Sequence, residues 1–163
     1  MKELAAGDEA PDFIVPGVRC GEFRLSEKVI DSFVLLYFYP VNYGVICTRY
    51  IGEMNELYDE FEKLKIKVFH VNPDPPDVLS GWMDRTDSLY DHISDTGQEV
   101  SRRYGMIITH PEHPKVSGFT NRGFVLADRS MRIRFLWRAD RPNDTLGLDE
   151  MIKELRKIVN GII

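Results

Sequence analysis

Cysteine is scarce in this chain, and long apolar runs, repeats and any excess of positive charge are absent. Each scarcity closes off a class of protein. Two cysteines in 163 residues cannot build the disulfide framework of a small secreted domain, and neither a C-x-x-C pair nor a Cys/His pair at zinc-finger spacing occurs. The longest apolar stretch, Phe33 to Tyr39, is far too short to cross a bilayer, so no membrane partner is expected. Twenty-one Lys and Arg against twenty-six Asp and Glu leave a net charge of −5, the wrong sign for a general grip on a phosphate backbone. Nucleic acid is therefore not an expected partner. The opening MKELAAGDEAPDF holds no apolar segment of secretory-signal length, and a cytoplasmic protein is expected.

What remains is an ordinary globular composition, 43% apolar and 29% charged, over a length that suits one domain spanning residues 1–163. Phe33-Val34-Leu35-Leu36-Tyr37-Phe38-Tyr39, ended by Pro40, has the β-branched and aromatic content of a central strand covered on both faces. Ile51, Met54, Leu57, Tyr58, Phe61 and Leu64 then recur at three- and four-residue spacing, which predicts an amphipathic helix beginning near Cys47. Ile66 to Val71 reads as a second strand, parallel to the first through a right-handed crossover. Prolines in NPDPPD delay the next helix to Asp77. Asp91 to Ser94 reads as a brief strand, and Thr96 as the N-cap of a helix over 97–104 stopped by Gly105. A long polar loop, ITHPEHPKVSGFTN, leads to a hairpin formed by Phe124 to Ala127 and Met131 to Trp137, and Leu148 to Val159 closes the chain as a helix. This order predicts a three-layer α/β fold of thioredoxin-like type around a mixed sheet.

Cys47 is the candidate nucleophile. In the first turn of a helix its sulfur sits where unpaired N–H groups and the helix dipole favour negative charge, and a nearby cation would strengthen that preference. Arg49 is near in sequence, although its spacing can direct it elsewhere; a more distant arginine would have to be delivered by the fold. The competing reading is a small apolar residue packed under the helix, the common fate of a lone cysteine.

The chain is similar to the peroxiredoxins, of the thiol-specific antioxidant and alkyl hydroperoxide reductase type, over most of its length. Gly7-Asp8-Glu9-Ala10-Pro11-Asp12-Phe13 resembles the family's opening G-x-x-A-P-D-F, and Phe23-Arg24-Leu25-Ser26 continues the likeness. Phe38-Tyr39-Pro40 stands at the family's distance before the peroxidatic cysteine, here Cys47. The segment from Ile93 to Val100, with Tyr104-Gly105, and the strand Arg122-Gly123-Phe124-Val125-Leu126-Ala127-Asp128 also resemble family motifs. Cys47-Thr48-Arg49 and Tyr58-Asp59-Glu60-Phe61 look most like the bacterioferritin comigratory protein group.

The resemblance implies a peroxiredoxin-type thiol peroxidase with Cys47 as the attacking thiolate, Arg122 as the cation that holds it ionised, and Pro40 as a shield. Substrate contacts are expected from Gly44, Tyr39, Val45 and Ile46. The substrate would be hydrogen peroxide or a small alkyl hydroperoxide, with an external thiol reductant such as thioredoxin or a glutaredoxin-like protein, and the assembly a homodimer. No metal or organic cofactor is implied.

Three positions depart from the family pattern. Gly44 stands where the motif carries a threonine or serine hydroxyl, Tyr50 where many members carry the acid or amide that orients the arginine, and Gly52 where one subgroup places a resolving cysteine. Glu53, one turn on from Tyr50, is the stand-in for that acid if the geometry permits. Cys20 reads as a turn residue, so a one-cysteine cycle is expected. The departures also leave open a peroxiredoxin-fold protein of weak or lost peroxidase activity acting as a redox sensor or binding module. His110 and His113 have x-x spacing that could edge a metal but show no third ligand nearby, and they read as solvated loop histidines.

Overall fold

A computed structural model describes residues 3–42 and 44–162, the last without its side chain. The elements in chain order are β1 (Ile14–Gly17), β2 (Gly21–Arg24), α1 (Leu25–Lys28), β3 (Phe33–Phe38), α2 (Val45–Glu56), α3 (Tyr58–Lys63), β4 (Ile66–Asn72), α4 (Pro76–Thr86), β5 (Asp91–Ser94), α5 (Glu99–Arg103), β6 (Gly123–Ala127), β7 (Ile133–Arg138) and α6 (Leu148–Ile162). The strands form one sheet in the order β2-β1-β5-β4-β3-β6-β7. β3 runs parallel to β4, as does β4 to β5, whereas β6 pairs antiparallel with both β3 and β7. The mixed sheet expected from the sequence is therefore present.

β3 has no charged residue because neither of its faces meets water. Val34, Leu36 and Phe38 face one core with Phe23, Val100 and Tyr104, while Leu35, Tyr37 and Tyr39 face the other with Met54, Phe61 and Leu155. The two-residue period of a strand thus divides adjacent residues between two cores. Each such side chain contributes roughly 1.5–3 kcal/mol by leaving water. α2, α3 and α6 cover the second core, and α1 and α5 the first.

Three local expectations need correction. The helix expected to run from Cys47 past Phe61 breaks at Leu57 (φ −91°, ψ 4°), whose N–H donates to Met54 O, just after Asn55 has engaged Asp87 and Leu89 with its side-chain amide. α5 starts at Glu99 rather than Gly97, because Gly97 and Gln98 both adopt positive φ and carry Thr96 off the helix axis. Its cap is Asp95, whose buried carboxylate accepts from the N–H groups of Val100 and Ser101 at 3.0 and 2.8 Å. α4 begins one residue before the expected point, with Pro76 in the first helical position, where its missing N–H costs nothing.

His70 and His92, on neighbouring strands, stack with ring centroids 4.7 Å apart in the buried interior. Burial holds the pKa of His70 down at about 3, so it stays uncharged through the neutral range.

Candidate active site

The carboxyl end of β3 hands the chain to Pro40, and α2 begins after the extended N-cap residue Gly44. Thr48 N–H donates to Gly44 O at 2.8 Å and starts the helical ladder, so Val45, Ile46 and Cys47 occupy the first turn, where N–H groups lack intrahelical acceptors. Cys47 is only 2% exposed.

Arg122 reaches it from the far side of the sheet sequence. It immediately precedes β6, next to β3, and both terminal guanidinium nitrogens donate toward Cys47 Sγ at 3.5 Å. Its backbone is held on both sides: its N–H donates to Asn121 Oδ1, its carbonyl accepts from Ala139 N–H, and Asn121 Nδ2 donates to Ala139 O. Nη1 also donates to the Tyr37 hydroxyl at 2.7 Å, and the Tyr50 ring centroid lies 5.9 Å from the guanidinium carbon. Burial works against charge on Arg122, yet the adjacent Tyr37 and Cys47 outweigh it and its pKa ends above the ordinary value. Tyr37 itself is pushed well above its usual pKa, chiefly by burial, and remains a neutral phenol. A charged fork of two N–H groups fixed against a buried sulfur stabilises negative charge there and in whatever that sulfur attacks.

Pro40, Gly44, Val45, Ile46, Cys47 and Arg122 share the lining of one cavity of about 320 Å³. Its opposite wall includes Ile108, Val116 and Phe119, from the loop read as merely polar. Val45 is 86% exposed at the mouth. A larger cavity of about 500 Å³, at the other end of β3 beside Phe33 and Val159, is lined by neither cysteine.

Tyr39, expected beside the substrate, does not line this cavity. It is fully buried, and its hydroxyl donates to Asn42 Oδ1 at 2.6 Å and lies 3.2 Å from His92 Nδ1. Arg49 turns outward and pairs with Glu53 at 3.8 Å, so neither residue serves Arg122. Tyr50 sends its hydroxyl to Leu146 O and meets the guanidinium with its ring. The oxygen that does hold the arginine belongs to Tyr37, which sequence reasoning left as a strand residue; its place on the same face as Tyr39 was the available signal. Tyr43, next to Gly44 in sequence, lies outside the described residues.

Cys20 occupies the β1–β2 turn and packs against the first core, whereas Cys47 belongs to the second. Its N–H donates to Asp91 Oδ2, and burial, together with that carboxylate, raises its thiol pKa to about 11.

Residues 6–136 match the AhpC/TSA family. YkuU of Bacillus subtilis strain 168, named as a peroxiredoxin, is 33% identical over 120 residues, covering 66% of this chain and 67% of its own. The selenocysteine-containing peroxiredoxin PrxU of Peptoclostridium acidaminophilum is 33% identical over 135 residues, 77% of this chain and 63% of its own. The chain thus spans about two thirds of the length of these two relatives. Among solved structures, the peroxidoxin BcpB of Mycobacterium tuberculosis superposes with a TM-score of 0.82 at 21% identity, covering 96% of this chain and 99% of that one, and attests the fold. The chain belongs to the AhpC/TSA family, the peroxiredoxins, and the activity this membership supports is that of a thiol-dependent peroxidase.

Proposed function

We propose that this chain works as a single peroxidase domain that reduces hydrogen peroxide or small alkyl hydroperoxides at Cys47 and is regenerated by an external thiol. The observation that carries the reading is the pair of Arg122 N–H groups on Cys47 Sγ, each at 3.5 Å, inside a cavity with an apolar wall. Cys47 sulfur, as thiolate, attacks the terminal peroxide oxygen. An S–O bond forms as the O–O bond breaks, and the proton of the attacked hydroxyl leaves with the departing oxygen as water or alcohol. The sulfenate left on Cys47 takes up a proton. One external thiol then displaces water to give a mixed disulfide, and a second releases the Cys47 thiol as the external pair becomes a disulfide.

Arg122 steadies the charge as it passes from sulfur to the departing oxygen, and Tyr37 holds the guanidinium in plane for that task. Pro40 screens the sulfur, while Gly44, Val45 and Ile46 border the peroxide. Cys20, protonated at neutral pH and on the other side of the sheet, takes no part, which favours a one-cysteine cycle. Thioredoxin or a glutaredoxin-like protein in the cytoplasm suits the exposed apolar mouth formed by Val45, Val41 and Phe119, and a homodimer is the proposed assembly. Among the described residues no helix is long and apolar enough to cross a membrane.

The test mixes reduced protein with hydrogen peroxide at neutral pH and follows peroxide loss, with Cys47→Ser as control. Rapid loss that requires Cys47 supports the peroxidase. Loss no faster than with a free thiol favours the sensor or binding module that Gly44 and Tyr50 leave open.

A further inference from the structure

The segment between α5 and β6 holds a second cluster of chemically capable side chains that the peroxidase reading does not use. Ile108 and Phe119 close its base: Ile108 N–H donates to Phe119 O and Gly118 N–H to Ile108 O, both at 2.8 Å. At its tip the sequence reads His110-Pro111-Glu112-His113-Pro114. His113 N–H donates to His110 O at 3.1 Å, a turn whose second position is Pro111, and Val116 N–H donates to His113 O at 3.3 Å in a second turn led by Pro114. Proline presets the backbone angle of that position in each turn, so the tip is stiffer than an ordinary loop.

The first turn sets the two imidazoles side by side, with centroids 5.2 Å apart, and places the Glu112 carboxylate with them. One ligand atom from each of His110, Glu112 and His113 lies within 4.8 Å of the others. Around a zinc-sized ion, bonds of about 2.1 Å put ligand atoms roughly 3.4 Å apart, a closure that two half-buried imidazoles and an exposed carboxylate make by small rotations. Glu112 N–H donates to His110 Nδ1 at 3.2 Å, which marks that nitrogen as carrying a lone pair. An ion would take this lone pair in exchange for a long hydrogen bond. The third ligand that the two histidines lack from their spacing alone is therefore the glutamate between them.

We propose that His110, Glu112 and His113 form a binding site for a divalent transition-metal ion of the zinc type. Two imidazoles and one carboxylate suit Zn²⁺, Co²⁺, Ni²⁺ or Cu²⁺, whereas Ca²⁺ and Mg²⁺ require more oxygen ligands. Three protein ligands leave a position for water. The ion would pin the tip of the loop whose base supplies Ile108 and Phe119 to the Cys47 cavity. Binding there orders the rim of the active site without touching the sulfur.

The experiment titrates the reduced, chelator-treated protein with Co²⁺, followed by Zn²⁺ competition, and compares it with His110→Ala, His113→Ala and Glu112→Gln, all substitutions outside the core. One equivalent of Co²⁺ should give visible d–d absorption of a nitrogen and oxygen set, without the sulfur-to-cobalt charge transfer that Cys47 or Cys20 would produce, and Zn²⁺ should displace it. Each histidine variant should weaken binding by more than about 10-fold, a loss that even an outer partner of a metal ligand can cause. Zn²⁺ should also slow amide exchange across residues 107–120 in the unmodified protein and not in His113→Ala. Binding that survives the histidine substitutions, a charge-transfer band in place of the d–d signature, or no saturable binding at all would overturn the proposal.

Discussion

Cys47 and Cys20 are the same side chain in opposite company. Cys47 is almost completely buried, yet a guanidinium donates to its sulfur through two N–H groups. Cys20 is the more exposed of the two, yet its turn is tied to the Asp91 carboxylate, which joins burial in raising its pKa to about 11. If Cys47 is the nucleophile, as proposed, solvent access alone picks the wrong thiol. Reactivity follows the sign of the neighbouring charge, because the reacting species is an anion.

Removing the cation should erase this contrast most completely. Arg122→Met keeps the packing volume and deletes the donors, and single-turnover peroxide consumption should fall by about 10²–10³-fold, with circular dichroism and thermal melts reporting whether the fold survives. Tyr37→Phe tests the same arrangement one bond further out. It should slow the reaction by roughly 10-fold, the scale of one hydrogen bond to a charged group, and the effect should vanish in the Arg122→Met background because the hydroxyl acts through the arginine.

Gly44→Thr pushes the comparison the other way by returning a hydroxyl to the mouth of α2. The backbone there (φ −76°, ψ 148°) accepts any residue, and a Cβ would meet Val41 Cγ2 at 3.2 Å, on a movable side chain, and Val41 O at an ordinary 3.9 Å. A rate increase of about 10-fold is expected, less than a fully placed donor supplies.

The smallest effect is expected at the other thiol. Cys20→Ser should leave peroxide consumption unchanged, and alkylation of Cys20 in Cys47→Ser protein should climb about tenfold per pH unit until the pH nears 11, because only the thiolate reacts.

How much of this could be read before folding differs between the two regions. The strand from Phe33, the crossover through α2 to β4, and the hairpin that follows Arg122 all announce themselves through local periodicity and turn residues. The pairing of Cys47 with Arg122, 75 positions later, came from likeness to a family and not from any local pattern. Tyr37 was hidden because alternation assigns it to a face without saying what stands opposite. The Asp95 cap was hidden because positive φ at Gln98, a residue that seldom adopts it, leaves no trace in composition. Ile108 and Phe119 join the cavity wall through a loop whose course follows no period.

The most direct test adds one equivalent of hydrogen peroxide to the reduced protein, traps sulfenic acid with dimedone at short intervals, and locates the adduct by mass spectrometry. The account predicts an adduct on Cys47, formed far faster than on a free thiol, with Cys20 unlabelled. An adduct on Cys20, or labelling of Cys47 at no more than the free-thiol rate, would contradict the claim that Arg122 decides which thiol reacts.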